Sequence, residues 1–359
     1  MTTYYEGPTD YAVPTGEFIT EWLDDHEVSQ GELAQQMGMS RKHVNRVIAG
    51  APLTPDFANR LQLVTGVPAA RWLALEGTYR ADIERLGQEE ELASRTDLLD
   101  QLAKSSAYLR KHQIVTATRR KPGILLREIM AFFGVGDADQ LSLQLQKPVA
   151  AFRQSEAHRI DVASVATWLR MGELEAMDEF PNAKEYSESR LRESLEDIRS
   201  LSRSTNYPEI LSARLAELGV ILVAVPEVEG CRAYGATRWL RKHPIIQLSL
   251  RGKNDGQFWF TLFHELGHVL LHPRDQLFVE GIDGKDSEFE RQANDFAQET
   301  LIPSIFDPDL SLLTSKDDVI TFAEQIGVSP GIVVGRLHRR ELWPPTHGQS
   351  LFVRLNFVD

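Results

Sequence analysis

The chain has 359 residues, 42% of them hydrophobic, which is more than one ordinary domain and enough apolar material for two or three separate cores. A net charge of −13 excludes a protein that is basic throughout, so any nucleic-acid binding has to come from a local patch. The lone cysteine, Cys231, excludes an internal disulfide and an all-thiolate metal site and suits a reducing cytoplasm.

Residues 1–15 hold Pro8 and Pro14 among polar groups, carry no basic head with an apolar stretch, and read as a mobile tail rather than a secretory signal. No run of eighteen apolar residues occurs, so no membrane span is expected. Residues 16–92 read as a first domain of short helices. Within it, SQGELAQQMGMSRKHVNRVIAG (29–50) has the parts of a helix-turn-helix. Leu33, Met37, Met39, Val44 and Val47 supply contacts, Ala34 is the small residue, and Gly38 is the turn. Ser29 with Glu32 makes a capping box, and Ser40 is placed to cap the second helix. That helix turns Arg41, Lys42, Asn45 and Arg46 outward, and Gln30 at the start of its predecessor is positioned for a phosphate. Apart from its Glu32 cap, the stretch to Pro55 has no acid. An ordinary helical hairpin with a solvated basic face is the competing reading.

With its flanks, GEFITEWLDDHEVSQGELAQQMGMSRKHVNRVIAGAPLTPDFANRLQLVTGVPAARWL resembles the HigA-type antitoxins of the Xre family over roughly residues 15 to 80. The resemblance implies a five-helix domain that binds a palindromic double-stranded operator as a homodimer.

Residues 93–180 are read as a helical spacer. ILLREIMAFFGVGDADQL (124–141) and AAFRQSEAHRIDVASVATWLRMGELEA (150–176) are amphipathic, with Trp168 and Leu169 expected to pack and Arg153, Arg159 and Arg170 to lie outside. Nothing there has catalytic spacing. The faces suit dimerisation or partner binding. FPNAKEYSES (180–189) breaks the pattern and opens a third region, 181–359. A long charged helix (188–203) leads into a small sheet from GVILVAV (219–225), CRAYGATRWL (231–240) and PIIQLSL (244–250), and LFVRLNF (351–357) is expected to close it as a strand. The fold class is therefore mainly α with a small β-sheet, an α+β arrangement.

TLFHELGHVLLH (261–272) carries the chemistry. Two histidines four apart project from one helix face, close enough for both imidazoles to reach one Zn²⁺ at about 2.1 Å. Glu265 is displaced by about 100° around the helix, so it suits taking a proton from metal-activated water better than ligation. By composition a chance HExxH in this length occurs on the order of once in a hundred chains, and a buried apolar helix tolerates such groups only when something pairs them. A hydrolytic site needs a third protein ligand. His272 continues the face, but a straight helix cannot wrap three turns around one ion, so it is expected at the mouth or solvated. SEFERQANDFAQETLIPS (287–304) offers Glu290, with Asn294 one turn on to hold a ligating histidine from outside; Glu288 and Asp295 are alternatives on other faces. For the oxyanion, Tyr234 and His243 are the candidates. EQIGVSPGIVVGRLHR (324–339) imitates a second helix-turn-helix, but Arg336 falls where an apolar contact is required, and packing of the third region is the better reading.

FTLFHELGHVLLH followed by ExxANxFAxxxLIP resembles the ImmA/IrrE-type metallopeptidases, across about residues 185–340. Carried over by position, the resemblance implies His264, His268 and Glu290 as zinc ligands and Glu265 as general base. Mn²⁺ is an alternative ion for such donors. It also implies cleavage of a specific protein partner in the cytoplasm, a repressor or toxin-system component encoded nearby, as in prophage and toxin–antitoxin operons. The second class of function is a non-proteolytic antitoxin or repressor whose zinc domain is a structural, sensing or partner-binding module.

Overall fold

Caps written into the sequence set where the first helices begin. In the computed structural model, which describes residues 10–151, 161–204, 206–281 and 287–357, the chain divides into two compact units, Met1–Thr96 with Ala117–Glu128, and Asp97–Thr116 with Ile129–Asp359. Of the tail expected at 1–15, residues 1–9 lie outside the described residues, as do the positions of Arg153 and Arg159, and Thr15 already begins a helix.

The first unit opens with five helices: α1 (Thr15–Asp25), α2 (Gln30–Gln36), α3 (Arg41–Ile48), α4 (Pro55–Thr65) and α5 (Ala69–Ala93). Ser29 and Glu32 form the reciprocal capping box of α2, and Ser40 accepts from the His43 amide at the start of α3. Gly38 makes the turn at φ 64°. Ile19, Leu33, Val44, Phe57 and Leu61 are fully buried between these helices. At Gly16 a Cβ would lie 1.9 Å from the Ile48 carbonyl oxygen, so α1 and α3 meet backbone to backbone. Buried Glu76 on α5 accepts from Thr15 Oγ1 (2.7 Å) and the Leu53 amide (3.2 Å), tying α5 to α1 and to the α3–α4 loop.

After α6 (Thr96–Gln101) and α7 (Ala103–Lys111), the amphipathic 124–141 stretch falls in two helices, α8 (Pro122–Phe133) and α9 (Ala138–Ala151). Gly134 at φ 69° ends the first, and the Asp137 carboxylate accepts from the Gln140 amide to start the second. Then come α10 (Val162–Glu179), α11 (Glu188–Glu193), α12 (Leu195–Ser200), α13 (Tyr207–Glu217), β1 (Ile221–Ala224), β2 (Gly235–Leu240), β3 (His243–Leu248), α14 (Asp255–Leu271), β4 (Phe278–Val279), α15 (Glu288–Leu301), α16 (Asp307–Leu310), α17 (Lys316–Ile326) and α18 (Pro330–Arg339). The expected long helix at 188–203 is thus α11, α12 and a 3₁₀ turn, broken at Ser194, which ends one helix and begins the next.

The sheet order is β1-β3-β2-β4, with β1 parallel to β3 and the other pairs antiparallel. Strand alternation sends Thr237 and Ile246 to one face and Arg238, Ile245 and Gln247 to the other. The first face meets α14, where Thr237 bonds Glu265. The second meets α10: Gln247 Nε2 donates to the Trp168 carbonyl (2.7 Å), and Arg238 to that of Leu169 (2.6 Å). So α10, expected within a spacer, is the outer layer of a helix–sheet–helix sandwich. Trp168 and Leu169 are buried, whereas Arg170 is half-buried and donates to the Phe132 carbonyl (3.0 Å).

LFVRLNF is not a strand. Residues 349–351 form a 3₁₀ turn, and a single bridge joins Arg354 to Asn254. The reason is local: the Val353 amide donates to the Asp255 carboxylate (2.9 Å) and the Leu355 amide to the Lys253 carbonyl (3.1 Å), so this backbone is satisfied at the start of α14, off any ladder.

Candidate metal centre and nucleic-acid interface

Asn254 caps α14 by accepting from the Gln257 amide, and Trp259, Leu262, Phe263 and Leu266 sink the helix into the core. His264, Glu265 and His268 go down with it, at 0%, 0% and 1% exposure. Ser287 caps α15 by accepting from the Glu290 amide. The two helices cross closely at Gly267, where a Cβ would stand 3.2 Å from Ala293 Cα. This approach brings Glu290, 5% exposed, up to the histidines.

The three side chains meet. His264 Nε2 and His268 Nε2 are 3.0 Å apart; Glu290 Oε2 lies 3.3 Å from the former and Oε1 3.2 Å from the latter. Ligand atoms held about 2.1 Å from a tetrahedral ion are about 3.4 Å from each other, so the cluster fits one divalent ion with little adjustment. Among the described residues, His264 Nδ1 and Glu290 Oε1 are buried without a hydrogen-bond partner, and this His–His–Glu group has the spacing of an ion site.

A relay sets the proton positions. The Gln292 amide nitrogen donates to Glu288, so its oxygen accepts from His272 Nε2 (3.1 Å). His272 Nδ1 then accepts from His268 Nδ1 (2.8 Å), leaving His268 Nε2 a bare lone pair toward the cluster. His272 is therefore not solvated as expected: it is 7% exposed, packed on the rings of Phe278 and Phe289. Asn294 lines the cleft beside the cluster, but among the described contacts the hydrogen bond expected from it to a ligating histidine is made by His272. Glu288 is exposed and paired with Arg291; Asp295 is exposed.

Charge is concentrated here. Burial pushes His264 down, but the carboxylates of Glu280, Glu290 and Glu265 outweigh it and hold its pKa up at about 9. Burial pushes His268 down to about 4. Glu290 resists burial through its two histidine contacts and is lowered to about 2. Burial raises Glu265 well above the usual carboxylate range. Thr237 Oγ1 donates to Glu265 Oε2 (2.6 Å), Oε1 has no described partner, and Gly235 leaves the room: a Cβ there would be 2.4 Å from Oε1. Glu280, just past β4, is a half-buried acid with its Oε2 inaccessible to solvent; desolvation raises it too, and the sequence reading missed it. Only its fold position makes it notable, because LFVEG has no motif.

A cleft of about 960 Å³ opens over His264, Glu280 and Glu290. Tyr234 lines it; His243 does not, its Nδ1 standing 3.0 Å from the Gly219 carbonyl. The residues of the second helix-turn-helix imitation are structural: Phe322, Ala323, Ile326, Val328 and Val333 join the core around α14.

In the first unit, α3 buries Val44 and Val47 and exposes Arg41, Lys42, Asn45 and Arg46. Ser40 is spent on the cap, and Gln30 is half-buried at the first turn of α2. No carboxylate pairs with Arg41, Lys42 or Arg46 among the described residues.

Comparison with known proteins is consistent with this division. Residues 231–338 match a peptidase family model described as the IrrE N-terminal-like domain. The N-terminal part is similar to YddM of Escherichia coli (strain K12), an uncharacterized HTH-type transcriptional regulator, 35% identical over 65 residues that make up 18% of this chain and 69% of that protein. No helix among the described residues is long and apolar enough to cross a membrane.

Proposed function

The chain belongs to the HTH-type transcriptional regulators through its first unit and carries an IrrE N-terminal-like domain in its second; on that premise we propose a DNA-binding regulator whose second unit is a zinc-dependent endopeptidase acting on a specific protein partner. The observation that carries the reading is the closure of His264, His268 and Glu290 into one buried cluster at the floor of a cleft, with Glu265 one residue away. Zinc held there would supply Lewis acidity and make water acidic enough to be deprotonated near neutral pH. His264, His268 and Glu290 would hold the ion, and the relay through His272 and Gln292 fixes the His268 ring. Glu265 would take a proton from the attacking water and return it to the leaving amine, with Thr237 holding Oε2 and Oε1 left without a partner among the described residues. Manganese would serve the same donors. The partner is a repressor or toxin-system component encoded nearby, as in a prophage or toxin–antitoxin operon, and the setting is cytoplasmic. Arg41, Lys42, Asn45 and Arg46, with Gln30 behind them, read operator DNA, and the protein binds as a homodimer.

The test is incubation of the zinc-loaded protein with the products of adjacent genes. Glu265→Gln should lower cleavage by roughly 10²- to 10⁴-fold while zinc content and operator binding stay as in the wild type. Undiminished cleavage rejects Glu265 as base.

One observation favours a second reading, in which the domain grips or senses a partner without cutting it: the Glu265 carboxylate is engaged by Thr237 and fully buried. Repression and partner binding that survive with no cleavage in the zinc-loaded wild type would select it.

A further inference from the structure

The cleft is lined by more arginines than carboxylates in an acidic protein. Its lining includes three arginines, Arg232, Arg336 and Arg339, against two carboxylates, Glu280 and Glu290, and Glu290 is the one a bound ion would neutralise. The chain as a whole carries −13. Arg336 is occupied, donating to Gln298 (2.7 Å) and Asp307 (3.5 Å). Among the described residues Arg232 and Arg339 make no hydrogen bond and no ion pair within 4.0 Å, although Arg339 lies in the longer-range field of Glu280 and Asp295. Arg339 lies over the Phe260 ring, 4.4 Å from its centroid, and that ring is 6.3 Å from the ring of His264. Stacking occupies the face of a guanidinium and leaves its in-plane N–H groups free for an incoming acceptor. A planar carboxylate matches that fork with two hydrogen bonds; a lone amide oxygen does not.

From this arrangement we infer that the peptide segment entering the cleft is acidic, with an aspartate or glutamate side chain received by Arg339 and a second anionic group by Arg232 from the β2 side. The inference rests on the peptidase reading and names its substrate class. The stacking distances place the Arg339 guanidinium within about three extended residues of His264, so the recognised acid lies within about three positions of the scissile bond. Arg339 is in this account a specificity-determining residue and takes no part in the proton transfers.

The experiment uses the full-length zinc-loaded Glu265→Gln protein, which consumes no peptide. Rhodamine-labelled nonapeptides, identical except for two central glutamates, glutamines or lysines, are titrated by fluorescence anisotropy. The glutamate peptide should bind at least tenfold tighter than the glutamine peptide, with the lysine peptide weakest. Arg232→Gln with Arg339→Gln should shrink the glutamate preference to under twofold at unchanged zinc content, and Arg339→Lys should keep part of it. Equal binding of the glutamate and glutamine peptides, binding of none, or a preference that survives the double substitution would each overturn the inference. If the double variant does not fold, the ranking of the three peptides on the parent protein decides. Wild-type cleavage is scored separately. Cleavage without acidic preference rejects this inference alone; acidic preference without cleavage rejects the peptidase reading and leaves a cleft that binds acidic peptides.

Discussion

At the residue scale the proposed ion site is governed by where its protons sit. His264 near 9 and His268 near 4 mean that the metal-free cluster at neutral pH holds its proton on His264. Linkage gives opposite signs for the two. A raised imidazole stabilises the fold below its ordinary value of 6.5 and loses that contribution as pH rises through about 9. A lowered one contributes above 6.5 and loses it as pH falls through about 4. With these two groups alone, the metal-free unit is most stable between those limits. Ion binding needs a neutral His264, so at pH 7 uptake should release at least one proton, read as a dependence of calorimetric enthalpy on buffer ionisation. Release from His264 should fade toward pH 10. Identical enthalpies at pH 7 in buffers of different ionisation heat would sink the assignment. Gln292→Leu should free the His272 and His268 tautomers and weaken ion affinity about 10- to 100-fold, measured by competition with a chelator. That His264 and His268 share one helix face was legible in the sequence because it follows from spacing within one helix. His272 was not, because its burial comes from Phe278 and Phe289, on elements whose approach no local pattern encodes.

At the scale of elements, the sequence was most legible where a structure is closed locally. The Ser29–Glu32 box, the Ser40 cap and the Gly38 turn are satisfied within a few residues, and α2 and α3 begin where those caps stand. Legibility failed where backbone partners come from afar. The 351–357 alternation has a strand's period, but its amides are taken by Asp255 and Lys253 at the head of α14. The role of α10 was invisible for the same reason. Its apolar stripe predicted packing without saying on what, and the answer is the face of the sheet opposite α14. Trp168 is fully buried there, and its Nε1 donates to the Val225 carbonyl at 3.0 Å. Trp168→Ala should therefore cost about 3–5 kcal/mol, seen as a lower denaturant midpoint for the second unit. It should weaken zinc retention as β2 and Thr237 lose their backing. A midpoint equal to the wild type's would show that α10 is a dispensable cover.

At the scale of the molecule, the two proposed activities would place conflicting electrostatic demands on one chain. DNA is repelled by a net charge of −13, so the proposed operator binding would have to be carried by the few cations that α3 exposes. Arg41, Lys42 and Arg46 are available because no carboxylate pairs with them among the described residues. This division of labour makes the contributions separable by salt. A lysine on a phosphate releases counterions and carries no base information, whereas an asparagine on a base edge does the reverse. Lys42→Ala should weaken binding evenly across operator variants and reduce the slope of log affinity against log salt by about one. Asn45→Ala should cost about 1–3 kcal/mol on the preferred site, relax discrimination at one base pair, and leave the salt slope unchanged. Both are measured by anisotropy titrations of the full-length protein on labelled duplexes at several salt concentrations. If Lys42→Ala leaves the slope unaltered, the phosphate contacts come from elsewhere in the first unit. If both variants bind as tightly as the wild type, α3 is a solvated basic face and not the reading helix.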